Sequence, residues 1–69
     1  GLDDVGPHAD DGLNITAGDN SVVTIIDSTF MNNWFGSGIE IKRPNPDRLP
    51  LLTRVNYLSN GETNLWVHA

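Results

Sequence analysis

The sequence predicts an all-β solenoid, a chain wound so that equivalent strands lie side by side in parallel layers. Three observations lead there. Gly12-Leu13-Asn14-Ile15 is echoed by Gly38-Ile39-Glu40-Ile41 and by Asn64-Leu65-Trp66-Val67, so the apolar pairs begin at 13, 39 and 65, a constant spacing of 26 residues. Stacked repeat units are built at spacings of roughly 20–50 residues. Each echo alternates apolar and polar residues, the period of a strand with one buried face. A longer phrase, Val23 through Asn33, returns as Pro50 through Asn60, which aligns Ile25 with Leu52, Phe30 with Tyr57, Met31 with Leu58 and Asn33 with Asn60. A simple meander has no need to repeat a whole strand-turn-strand phrase, whereas a winding chain must stack equivalent side chains on one another.

The elements follow in order. Residues 1–11 are polar, rich in Asp and Gly and contain Pro7, which makes them a leading loop. A strand at Leu13–Ile15 is followed by the turn Ala17-Gly18-Asp19-Asn20 and the β-branched run Val22–Ile26. The strand signal resumes through Phe30-Met31, turns at Asn32-Asn33, and returns in the glycine-flanked run Gly38–Lys42. Arg43 to Pro50 holds three prolines in eight residues and reads as a loop, because proline cannot donate to a strand ladder. Leu51–Leu58 is the next strand, Ser59-Asn60-Gly61 a turn, and Asn64–Val67 the last strand. Helix is not expected, since turn chemistry interrupts short apolar runs every several residues. The 69 residues form one unit: leading loop 1–11, first coil 12–37, second coil 38–63 with the Pro-rich loop 43–50, and the opening of a third coil at 64–69.

Composition narrows the setting. There is no cysteine, so neither a disulfide nor a thiolate metal site is available. No apolar run approaches the ~18 residues of a membrane span. The chain opens on Gly-Leu-Asp-Asp and not on Met, as expected for a processed product or an excised piece. Residues 1–41 carry seven acids and no Lys or Arg, while residues 42–69 carry four bases against two acids, which together make the net charge of −5. That distribution argues against nucleic acid as a partner. It reads first as a solvated acidic surface; the alternative is attraction between the acidic end of one copy and the basic end of another, or metal binding at the acidic end.

Val23-Thr24-Ile25-Ile26-Asp27-Ser28-Thr29-Phe30-Met31-Asn32-Asn33, followed by Gly36-Ser37-Gly38-Ile39-Glu40-Ile41, resembles the repeat of right-handed parallel β-helix proteins. That superfamily includes pectate lyases, polygalacturonases, phage tailspikes and bacterial surface proteins. The resemblance covers residues 12–67 and implies that Val23, Ile25, Ser28, Phe30, Ile39 and Ile41 point inward. It implies also that Asn33 and Asn60 stack at a turn, with their amides hydrogen-bonded along a ladder. With only two to three coils, the chain is expected to belong to a longer β-helix or to assemble with other chains, since solenoid units need neighbours to bury their apolar faces.

Candidate sites follow from this frame. Asp10-Asp11-Gly12-Leu13 looks like the first catalytic element of polygalacturonase-like members, in which one carboxylate acts as acid and the other as base. In the other two elements Ser37 stands where histidine is required and Glu40 where arginine is required. A polysaccharide hydrolase or lyase using Asp10 and Asp11 is therefore the alternative, and a non-catalytic wall the leading expectation. No metal or cofactor is expected; the alternative is calcium, for which Asp3, Asp4, Asp10, Asp11 and Asp19 offer hard oxygen ligands. Trp34-Phe35, set in a turn, and Trp66, which faces away from Leu65 and Val67, are the candidates for stacking on sugar. His8 and His68 are expected to be exposed bystanders. The expected protein is a non-catalytic structural or glycan-facing segment of an extracellular, cell-surface or virion protein, for which a polysaccharide or cell-surface glycan is the candidate partner; self-assembly into oligomers or filaments is the third reading.

Overall fold

A computed structural model describes residues 11–69 of the chain. It is all-β, with five strands: β1 (Leu13–Thr16), β2 (Thr24–Met31), β3 (Ile39–Lys42), β4 (Leu51–Leu58) and β5 (Leu65–His68). The odd-numbered strands form one sheet in the order β1-β3-β5 and the even-numbered strands form a second, β2-β4. Every pairing is parallel. Each connection between neighbours in one sheet therefore passes through a strand of the other.

The register is the one the repeats predict. Leu13 pairs with Ile39 and Ile39 with Leu65, while Ile15, Ile41 and Val67 line up beside them. Across the second sheet Ile25 pairs with Leu52, Phe30 with Tyr57 and Met31 with Leu58. Alternation sends one row of side chains from each sheet into a shared core. Ile39 and Ile41 are fully buried at its centre because β3 has a strand on both sides. Leu13, Ile15, Val55, Tyr57, Leu65 and Val67 pack around them and remain partly buried.

The two long strands share one kink. Asp27 in β2 and Arg54 in β4 are left-handed, with φ of 52° and 50°. A left-handed residue interrupts the alternation, so Ile25 and Ser28 both turn toward the core although three positions separate them. The exposed corner is held by an ion pair in which Arg54 Nε and Nη2 both donate to Asp27, the second at 2.9 Å. The guanidinium holds the Asp27 carboxyl below its usual range, and the carboxylate in turn raises Arg54. A second left-handed pair, Asn32 and Ser59 (φ 61° and 57°), closes the far ends of the same strands.

Polar side chains complete the layering. Asn33 Nδ2 donates to Asn60 Oδ1 at 2.9 Å, and Asn60 Nδ2 donates to the Phe30 carbonyl at 3.0 Å, so the asparagine contact expected from the repeat is formed. Gly12 and Gly38 stand beside this ladder. A Cβ on Gly38 would lie 2.8 Å from the Asn64 carbonyl oxygen and 3.0 Å from Asn60 Nδ2, which leaves room for hydrogen alone. Arg43, only 2% exposed, ties the loops together. Its guanidinium donates to the carbonyls of Gly18 (2.8 Å), Ser21 (2.7 Å) and Arg48 (3.0 Å). The proline-rich loop also hangs on Asp19, whose carboxylate accepts the Asn45 N–H at 2.8 Å.

Candidate functional site

Parallel pairing in register places chemically distinct side chains in rows on the outward face of the three-stranded sheet. Asn14, Glu40 and Trp66 form one row, and Thr16, Lys42 and His68 the next. Trp66 and His68 are two residues apart on β5, so both rings leave the strand on the same side. They stack with centroids 4.0 Å apart and planes inclined at 22°. Glu40, one strand away and one row over, accepts from His68 Nε2 at 2.8 Å. The other ring nitrogen, Nδ1, lies 3.0 Å from the Ala69 carbonyl oxygen. Both oxygens are acceptors only; a neutral imidazole can serve one of them and the imidazolium serves both.

His68 is thus not the exposed bystander that the sequence suggested. It is wedged between an indole and a carboxylate, three-quarters covered. Glu40 and His68 are the functional candidates that sequence reading passed over. The signal was present: residue 68 follows residue 42 by one repeat, which puts it on the face that carries Trp66 and next to the row of Glu40. Trp66 lies where it was expected, outward and 44% exposed. The resulting patch joins an aromatic platform to an anchored carboxylate, with Lys42 and Asn14 beside it. Such a surface can stack on an apolar ring face and hydrogen-bond to the hydroxyls at its rim.

Trp34 and Phe35 occupy the turn from Asn33 to Gly36, closed by the Gly36 N–H to the Asn33 carbonyl at 3.2 Å. Both rings stand in solvent, 59% and 74% exposed. The turn of the next repeat docks on their backbone, where the Gly61 N–H reaches the Asn33 carbonyl at 2.9 Å and a Cβ on Gly61 would strike the Trp34 carbonyl.

The acidic candidates are distributed differently. Asp3, Asp4, Asp10 and His8 lie outside the described residues. Asp11 Oδ1 accepts the Ser37 N–H at 2.8 Å and Oδ2 faces Asn14 Nδ2 at 3.4 Å, so this carboxylate braces the next repeat. Asp19 is engaged with Asn45, in a different loop. Among the described residues no three His, Asp or Glu side chains converge to hold a metal ion. No helix there is long and apolar enough to cross a membrane.

Comparison with protein-family models, with curated proteins and with solved structures yields no match for this chain.

Proposed function

We propose that residues 12–67 are successive coils of a right-handed parallel β-helix, and that the segment is a non-catalytic, glycan-facing wall of an extracellular, cell-surface or virion protein. The observation that carries this reading is that parallel strands in both sheets pair about one repeat length apart. One sheet repeats at 26 residues and the other at 27, and the asparagines of consecutive turns bond to each other. Such a framework repeats its inward residues and frees the outward ones for recognition. Here the outward row supplies Trp66, stacked on His68 and flanked by Glu40 and Lys42. An indole face takes the C–H surface of a pyranose ring, and the carboxylate accepts from its hydroxyls.

Titration of the chain against immobilised polysaccharides and a glycan array tests the reading. Trp66→Ala is expected to abolish binding, with a smaller loss on Trp34→Ala. A binding profile that neither substitution changes would overturn the glycan role. Turnover of an acidic polysaccharide that disappears in Asp11→Asn would replace it with a hydrolase or lyase.

A further inference from the structure

We propose that Asn60-Gly61 is a caged deamidation site: the fold assembles the dipeptide most prone to lose its side-chain ammonia, and the contact between neighbouring layers holds the reaction back. The site does not depend on glycan binding.

Two separate demands of the fold put these residues together. Position 60 requires a side-chain amide, because Asn60 Oδ1 accepts from Asn33 Nδ2 at 2.9 Å while Asn60 Nδ2 donates to the Phe30 carbonyl at 3.0 Å. An amide supplies an acceptor and a donor from one short side chain, which a carboxylate cannot do. Position 61 requires glycine, because a Cβ there would overlap the Trp34 carbonyl. The earlier repeat meets only the first demand. Its asparagine, Asn33, is followed by Trp34, and no other asparagine in the chain precedes glycine.

The chemistry follows from that juxtaposition. A backbone nitrogen that has lost its proton to hydroxide can attack Cγ of the preceding asparagine. The new N–Cγ bond closes a five-membered succinimide, the Cγ–Nδ2 bond breaks, and the amide nitrogen leaves as ammonia with a proton taken from water. Water then opens one of the two C–N bonds of the ring. One opening gives aspartate; the other gives isoaspartate, with the backbone rerouted through the former side chain. The net change is one water consumed and one ammonia released. Glycine after the asparagine leaves the approach unhindered, whereas at Asn33 the Cβ and indole of Trp34 obstruct it.

In the folded chain the reacting groups are tied. The Gly61 N–H, whose proton must be removed, donates to the Asn33 carbonyl at 2.9 Å. The leaving nitrogen is bonded to Phe30 and the amide oxygen to Asn33. Deprotonation of Gly61 and departure of Nδ2 both require these bonds to break. Burial is not the barrier, since Asn60 is only half-buried and Gly61 is exposed. The lock is the hydrogen bonding between layers, so the reaction waits for the turn at residues 59–61 to open.

The product does not fit back into the seam. Aspartate at 60 still accepts from Asn33, but it has no donor for the Phe30 carbonyl and sets a carboxylate oxygen against it. Isoaspartate adds a backbone carbon ahead of Gly61, in a turn too close to Trp34 to admit a methyl group. Each opening that ends in reaction therefore leaves the layers more weakly joined, an irreversible record of unfolding.

Incubation of the 69-residue chain at mildly alkaline pH across a urea series tests this. Peptide mapping by mass spectrometry follows each asparagine, and circular dichroism follows the fold. In urea that unfolds the chain, Asn60 should deamidate ahead of every other asparagine. In native buffer its rate should be lower by at least about tenfold, and it should climb through the unfolding transition. Asn33→Ala removes one tie and should raise the rate in the folded chain severalfold; if that variant does not fold, the urea series on the unsubstituted chain still decides. Asn60→Asp makes one product directly and should lower the folded-to-unfolded ratio roughly tenfold. Equal rates for Asn60 in folded and unfolded chains would overturn the cage, as would the absence of any cooperative transition. A different asparagine reacting first in urea would overturn the primed site. A folded Asn33→Ala chain no faster than the unsubstituted one, or Asn60→Asp of unchanged stability, would show that the amide ladder is not the lock.

Discussion

Removing the Arg43 guanidinium should bring this small domain close to its unfolding midpoint. Arg43→Met keeps the aliphatic stem and deletes the donors that reach the carbonyls of Gly18, Ser21 and Arg48. A hydrogen bond to a charged group contributes about 1.5–3 kcal/mol net, so three of them set an upper bound of about 4.5–9 kcal/mol. Two effects reduce it. The freed carbonyls belong to exposed residues and can take up water. The wild-type fold also bears the cost of dehydrating a charge with which no carboxylate pairs among the described residues, a cost of several kcal/mol. The expected net loss is about 2–4 kcal/mol, against a total of about 3–5 kcal/mol for a core of this size. At about 4–8 °C per kcal/mol for domains this short, a 3 kcal/mol loss lowers Tm by about 12–24 °C. Circular dichroism followed through thermal and urea unfolding measures it. A loss below about 1 kcal/mol would refute the reasoning, because the loops would then hold their shape without the guanidinium.

Other substitutions probe the core and its seams. The Tyr57 hydroxyl is buried and has no partner among the described residues, so Tyr57→Phe should be neutral or raise stability by up to about 1 kcal/mol. Burial pushes the Tyr57 phenol above its usual value of 10.0, so the folded state keeps its proton longer than the unfolded chain. Its contribution is complete below pH 10 and disappears as pH rises through the folded value; as the sole tyrosine, its absorbance gives an unambiguous titration, and Tyr57→Phe should weaken the alkaline fall in Tm. Gly38→Ala would force a methyl group against the Asn64 carbonyl and the Asn60 amide, at a cost of about 1–3 kcal/mol in urea denaturation. Ile41→Val and Ile15→Val delete the same group from equivalent positions, one fully buried and one half covered. The first should cost about 1 kcal/mol and the second measurably less; equal costs would mean that the end layer is as well packed as the middle one.

What the sequence made legible is what repetition imposes. Strand positions, pairing partners and the Asn33–Asn60 contact all follow from the spacings of 26 and 27 residues, because a stacked layer must present the same side chain at the same place. The outward arrangement was harder to read. Nothing in a single repeat marks Glu40 or His68, and their meeting depends on a reach between neighbouring rows of a sheet that alternation alone does not specify. The continuity of β2 through Asp27 was hidden for a related reason. A left-handed residue shifts the inward phase by one, and the sequence pattern reads as two short strands, whereas the backbone makes one bent strand. Arg43 sat in a run of prolines that signalled only a loop. Its burial emerges once the loop from Gly18 to Ser21 folds over it, a long-range event with no local signature.

The division of labour between faces bears on how the outward surface could change its chemistry without loss of the fold. Inward positions are coupled across layers: Ile39 touches the environment of both Leu13 and Leu65, and the asparagine and glycine positions constrain one another at van der Waals distance. Outward positions are coupled only to their immediate neighbours, as Trp66 is to His68 and His68 to Glu40. A substitution at Asn14 or Lys42 therefore alters the chemistry of the patch at little cost to the framework, while a substitution at Gly38 or Ile41 does the reverse. Framework stability and outward surface chemistry are therefore separable in this fold.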